Sequence, residues 1–239
     1  MSGHSKWAGI KHKKAIVDAK RGSNFTKLGN NVTIAAKQGG GDPVLNAGLR
    51  LAIDKARAAN MPKENIDRAV KRGTGELGGA TVEELLFEGF GPGNVAILVE
   101  ALTDNRNRTN ADIRIIFNKN GGRITEGGGV AYQFDQQGVI RAEVAGTQES
   151  FEEAVIESGA DDYRIDSTSA VIITDPSHLH QVKEALEAKG VAIDSAKIER
   201  VAKSSVEVDD EAIEKLTTLL DLLEENDDVS EMYTNLSEG

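Results

Sequence analysis

The sequence predicts an α+β protein of three domains: an all-helical N-terminal domain, a middle α+β domain, and a ferredoxin-like βαββαβ domain inserted in the middle one. Three observations predict it. Residues 1–73 carry only a helical apolar period, the period of strands begins at Val82, and residues 139–202 alternate strand and helix in the order βαββαβ. The expected boundaries are 1–78, then 79–137 together with 204–239, and 138–203 for the inserted unit.

Each element has a local reason. From Ile10 to Arg21 a helix is expected, with Ala15, Ile16 and Ala19 on one side and Lys11, Lys13, Lys14, Lys20 and Arg21 across the opposite half. Gly22 is expected to end it and Ser23 to cap the next helix, whose inner stripe is Phe25, Leu28, Val32 and Ala35/Ala36. "GGGDP" (39–43) breaks the chain, with Asp42 as N-cap and Pro43 opening a third helix that turns Leu45, Leu49, Ala52, Ala56 and Ala59 inward. Pro62 of "NMP" opens a fourth, through Ile66, Ala69 and Val70 to Gly73.

Beyond the glycine-rich linker "GTGELGGA" (73–80), "VEELLFEGF" (82–90) and "NVAILVEAL" (94–102) form a hairpin across "GPG". A helix from Arg108 to Asn120 follows, capped by Asp104 or Asn107 and closed by Gly121 and Gly122, and "VAYQF" (130–134) is a further strand. The inserted unit runs through strand "VIRAEV", helix "SFEEAVIESG", strands "DYRID" and "AVIITD", helix "HLHQVKEALEAKG" and strand "VAIDSAKIERVA". The tail adds a helix from Asp209 to Glu225, with Ile213, Leu216, Leu220 and Leu223 inward. A strand "VSEMYTN" is expected to return to the sheet of 82–134.

Composition excludes several chemistries. The 239 residues include no cysteine, so there are no disulfides, thiolate nucleophiles or Cys-based zinc sites. Nothing approaches the roughly 20 apolar residues needed to span a bilayer, and the basic start has no apolar region behind it, so a cytoplasmic protein with no membrane partner is expected. "GTGELG" (73–78) and "GPGNVA" (91–96) imitate a dinucleotide fingerprint, but neither joins a strand to a helix N-terminus as pyrophosphate binding requires. There is no P-loop and no nucleophile elbow, and the four histidines form no metal constellation. No enzyme, cofactor or metal is expected.

Charge is the positive signal. The chain carries a net −11, yet residues 1–73 hold 15 Lys+Arg against 5 Asp+Glu while residues 74–239 hold 13 against 34, a split of +10 and −21. Over residues 3–28 seven cations face one aspartate. Lys6, Lys11, Lys13, Lys14, Lys20, Arg21 and Lys27 are candidates for phosphate contact, and His4 and His12 add donors. Trp7, the only tryptophan, and Phe25 offer planar groups; Trp7 has two uses open to it, a core plug or a stacking platform. "TDNRNRTN" (103–110) is a second candidate, because Arg106 and Arg108 stand near a helix N-terminus, where an anion is favoured. The bland reading there is a capped turn with two solvated arginines.

In order along the chain, "GHSKWAGIKHKK", "DAKRG", "FTKL", "GGGDP", "NMP", "RAVKRGTG", "EGFGPG", "LTDNRNRT", "NGG" and "VAYQF" resemble the YebC/PmpR family, which includes mitochondrial translational activators. The resemblance implies a three-domain α+β protein that binds nucleic acid without catalysis. Its motifs fall on Lys6, Trp7, Lys11, His12, Lys13, Lys14, Lys20, Arg21, Arg106 and Arg108. "LGNNVT" (28–33) departs from it, standing where the family has a bulky residue and an Arg-Glu pair. Two functions follow as expectations. One is a DNA-binding transcriptional regulator with duplex DNA as partner. The other is a translation factor on the ribosome that binds ribosomal RNA and assists synthesis of difficult peptide stretches.

Overall fold

The computed structural model describes residues 21–78, 81–166 and 168–237. The chain separates into two units, Gln133–Lys203 and the remainder, in which the residues up to Tyr132 join those from Ser204 onward.

The first unit begins with three helices, α1 (Arg21–Gly39), α2 (Ala47–Ala58) and α3 (Lys63–Gly73). They close on Val32, Ala36, Leu49, Ile53, Ala56, Met61, Ile66 and Ala69. The break expected at Gly22 is absent, because α1 runs through Gly22 and Ser23. A helical glycine costs about 1 kcal/mol, too little to stop a helix that packing supports. The stop comes at Gly39, followed by Gly40 in the left-handed region at φ 84°, whose N–H donates to the Ala36 carbonyl at 2.9 Å.

The start of α2 corrects a second expectation. Its N-cap is Asn46, whose Oδ1 accepts the Leu49 N–H at 3.0 Å while its Nδ2 donates to the carbonyls of Ala35 and Gly40 at 2.8 and 2.9 Å. The Asp42 carboxylate accepts, among the described residues, only the Val44 N–H, at 2.8 Å, within the preceding turn. Three bonds outweigh one, and the helix starts four residues later. Leu45 is therefore 84% exposed rather than inward, and Ile53 joins Leu49 and Ala56 in the core. α3 begins after Pro62, as the sequence implies.

The rest of this unit is an antiparallel sheet in the order β3-β1-β2-β8, built from β1 (Glu83–Phe90), β2 (Ala96–Thr103), β3 (Arg123–Ile124) and β8 (Val229–Thr234). α4 (Arg106–Lys119) and α7 (Asp210–Glu225) cover one face, burying Ile113, Phe117, Leu216, Leu219, Leu220 and Leu223 on Leu85, Phe87, Ile97 and Val99. The tail strand pairs with β2, as its lack of any other partner implied. α4 starts two residues earlier than expected, and its cap is Asn105, which accepts the Arg108 N–H at 3.1 Å. Neither Asp104 nor Asn107 takes that role.

The strand expected at 130–134 does not form there. Ala131–Gln133 is a short 3-10 turn, and Phe134 instead starts the first strand of the second unit. Glu88 gives the reason. Its buried carboxylate accepts the N–H groups of Gly128, Val130 and Ala131 at 2.6, 2.7 and 2.7 Å, which removes those amides from any ladder.

The second unit is ferredoxin-like: β4 (Phe134–Glu143), α5 (Gln148–Glu157), β5 (Asp162–Asp166), β6 (Ser169–Thr174), α6 (Leu179–Ala188) and β7 (Ile193–Ala202). Its four antiparallel strands lie in the order β5-β6-β4-β7. Ile140, Ala142, Ala170 and Ile172 meet Phe151, Val155, Val182 and Leu186 of the two helices.

Candidate nucleic-acid interface

Lys6, Trp7, Lys11, His12, Lys13, Lys14 and Lys20 lie outside the described residues, and of Arg21 only the backbone, within α1, is described. The remaining candidates, Lys27, Arg106 and Arg108, are not brought together, and each meets a different neighbour.

Lys27 donates its Nζ to the Glu224 carbonyl at the last turn of α7. Burial pushes its pKa below the ordinary 10.5, against the opposing pull of Glu224, Asp227 and Glu231. The lysine thus complements the negative end of a helix within its own unit.

Arg108 is engaged more firmly. Its Nη2 lies 3.0 and 2.9 Å from the two carboxylate oxygens of Asp228, and the Thr109 hydroxyl donates to the same carboxylate at 2.7 Å. Asp228 is only 5% exposed. Its carbonyl accepts the Leu102 N–H at 2.7 Å and its N–H donates to Asn226 Oδ1 at 3.0 Å. The hydrogen bond and charge of Asp228 raise the Arg108 pKa further above its ordinary value. Arg108 therefore pins the β2–α4 corner to the turn between α7 and β8. A buried carboxylate requires such a partner.

Arg106 is solvent-facing, with Nη1 3.8 Å from the Glu83 carboxylate. Together with Asn110 and Arg114, at successive turns of α4, it lines a groove of about 340 Å³ shared with β1 and residues 124–127. Glu84 and Glu126 line the same groove.

Sequence reasoning passed over a third set of cations. Arg72 of α3 donates to Asn30 Oδ1 at 2.9 Å and to Thr33 Oγ1 at 3.0 and 3.2 Å. Asn30 in turn donates to the Leu102 carbonyl at 3.1 Å, and Lys37 donates to that of Val82 at 3.1 Å, so polar bonds tie α1 to the hairpin strands. Arg50, Lys55, Arg57, Lys63, Arg68 and Lys71 all face outward from α2 and α3. Arg68 also lines a second groove of about 390 Å³, together with Phe25, Gly29, Met61, Asn65 and Arg72. Phe25 is half-buried against the helical core. The signal for these outward cations was present in the sequence: they occupy the helical positions opposite Leu49, Ile53, Ala56, Ile66 and Ala69.

No group of three or more His, Asp or Glu side chains able to hold a metal ion occurs among the described residues. No described helix is long and apolar enough to cross a membrane.

Comparison with known proteins adds a context. A model of the TACO1/YebC N-terminal domain matches residues 5–76, and one of the TACO1/YebC second and third domains matches residues 82–236. A protein of Caldanaerobacter subterraneus subsp. tengcongensis named probable transcriptional regulatory protein is 50% identical over 238 residues, which cover 99% of this chain and 98% of the relative. One of the same name from Persephonella marina is 51% identical, over 98% of this chain and 95% of its own. The crystal structure of a conserved hypothetical protein from Aquifex aeolicus superposes with a TM-score of 0.85 at 45% identity, over 98% of this chain and 97% of that one.

Proposed function

This chain belongs to the TACO1/YebC family, and we propose that it is a non-enzymatic transcriptional regulator that grips DNA phosphates with its cationic front. The observation that carries this reading is the charge split, +10 over residues 1–73 against −21 over the rest. A polyanion is drawn to one end and repelled by the other. The names of the bacterial relatives support the regulatory half of the reading.

The proposed contact set is Lys6, Trp7, Lys11, His12, Lys13, Lys14, Lys20 and Arg21, together with Arg68. Lys27 and Arg108 are left out because their charges already serve the fold. Arg106 is left out because it lies outside the cationic stretch 1–73 that carries this reading. Phosphate contacts release counterions, so the logarithm of affinity falls with that of salt by roughly 0.9 per phosphate on duplex DNA.

Ultraviolet crosslinking in cells, followed by sequencing of the attached nucleic acid, tests the reading. Recurrent promoter DNA is expected, lost when Lys11, Lys13 and Lys14 are changed to Glu in a chain that still folds. Ribosomal RNA in its place would overturn the DNA reading in favour of a translation factor, with the same lysines as its contacts. Undiminished crosslinking by the triple variant would rule out those lysines.

A further inference from the structure

Among the described residues, most of the outer edge of β1 is left open. On one side β1 pairs with β2 along its whole length, Glu83 to Phe90. On the other, β3 pairs only with Gly89 and Phe90, and one more bond runs from the Thr125 N–H to the Glu88 carbonyl at 2.8 Å. Glu88 then draws Gly128, Val130 and Ala131 onto its carboxylate, which turns the chain away from the strand.

The remaining edge has a defined chemistry. Backbone groups of alternate residues in a strand point the same way, so an outward Glu88 carbonyl places those of Leu86 and Glu84 outward too. Their partners across β2 agree. The Glu100 carbonyl opposite Leu86 accepts the Ser230 hydroxyl, and the Leu102 N–H opposite Glu84 donates to Asp228, both on the side away from β1. Among the described residues, nothing bonds to the outward backbone groups of Glu84 and Leu86. Leu86 is 41% exposed.

α4 runs alongside in the same direction. Arg106 stands by Glu83 at one end, and Phe117 packs against Gly89 at the other. Arg106, Asn110 and Arg114 thus form a stripe beside the open edge, on the face of the sheet that carries Leu85 and Phe87. Glu84 and Leu86 belong to the opposite face, because side chains alternate along a strand.

We propose that this edge accepts an extended segment of a partner protein as an added antiparallel or parallel strand. The segment carries acidic side chains at alternate positions, facing Arg106, Asn110 and Arg114, and apolar ones between them, facing Leu86. Strand addition fits because the unmet groups are backbone donors and acceptors at strand spacing. A nucleic acid fits worse, since its phosphates offer acceptors but no strand-spaced donors for the outward carbonyls of Glu84 and Leu86. A peptide that alternates in character satisfies both walls.

The test uses the full chain and a short fluorescent peptide alternating glutamate and valine, followed by anisotropy. Saturable binding is expected. It should weaken about tenfold or more when the valine-for-glutamate order is scrambled, or when the peptide backbone is N-methylated at the edge-facing positions. The double change Arg106→Glu with Arg114→Glu should reverse the preference, favouring a lysine–valine peptide. Leu86→Pro should abolish binding while keeping the β1–β2 ladder, since the lost N–H points outward; if that variant misfolds, the methylated peptide carries the same question. No saturable binding of the glutamate–valine peptide would overturn the proposal. So would indifference to N-methylation, or tighter binding of an oligothymidine that the arginine changes abolish.

Discussion

The corner between β2 and α4 and the outer faces of α2 and α3 both carry arginines, and they use the charge differently. At the corner, Arg108 meets a carboxylate that is 5% exposed, and its guanidinium is consumed by the fold. On α3, Arg68 is exposed beside a groove and, among the described residues, meets no carboxylate that would consume it. Charge on a helix is available to a ligand only where the fold has not already buried its counter-charge.

The largest effect that would break this comparison is at the corner. Arg108→Ala leaves Asp228 buried with, among the described residues, only the Thr109 hydroxyl against its carboxylate. Half-exposure of the arginine side chain lets water reach the site, so the loss is expected at about 1–2 kcal/mol of unfolding free energy, read by urea denaturation. Nucleic-acid affinity should stay unchanged. A stable Arg108→Ala protein with weakened binding would return Arg108 to the contact set.

Arg72→Ala comes next. It removes the donors that meet Asn30 and Thr33, both nearly buried, and about 1 kcal/mol is expected to go with them. Because Asn30 also bonds the Leu102 carbonyl, amide exchange should rise in α1 and in β2 together. A rise confined to α3 would mean that the network does not couple the helices to the sheet. Arg68→Ala sharpens the contrast from the other side. Stability should move by less than about 0.5 kcal/mol, while the salt slope of DNA binding falls by about one phosphate. A slope that does not change would leave the groove on α3 out of the interface.

What the sequence disclosed follows the same line between local and distant causes. Periodicity alone placed Leu49, Ala56, Ile66 and Ala69 in the helical core and set the βαββαβ order of the second unit, since those depend on neighbours in the chain. The choice of Asn46 over Asp42 as a cap depended on carbonyls at Ala35 and Gly40, which no local window displays. The fate of 130–134 depended on Glu88, forty-odd residues earlier, and that of Arg108 on Asp228, 120 residues away. In the motif "TDNRNRT" the sequence showed the cations and the helix N-terminus correctly. It had no means of showing the buried anion that claims one of them.

Lys27 gives the smallest effect and the one with a sign that pH can read. Burial holds its folded pKa below the ordinary 10.5 of the unfolded chain. Well below that window both states are protonated, and the fold bears the full penalty of a desolvated ammonium. As pH climbs through the folded pKa toward 10.5, the folded state releases the proton while the unfolded state keeps it, so stability rises. Lys27→Met removes both the penalty and the rise. The stability difference between the native chain and Lys27→Met, measured by urea denaturation from neutral pH upward, should therefore shift toward the native chain as pH increases. A difference that stays flat or moves the other way would mean that the contact with Glu224 and the charges of Asp227 and Glu231 outweigh burial. Lys27 would then be held charged by those acidic neighbours, and its charge would still be spent within the fold.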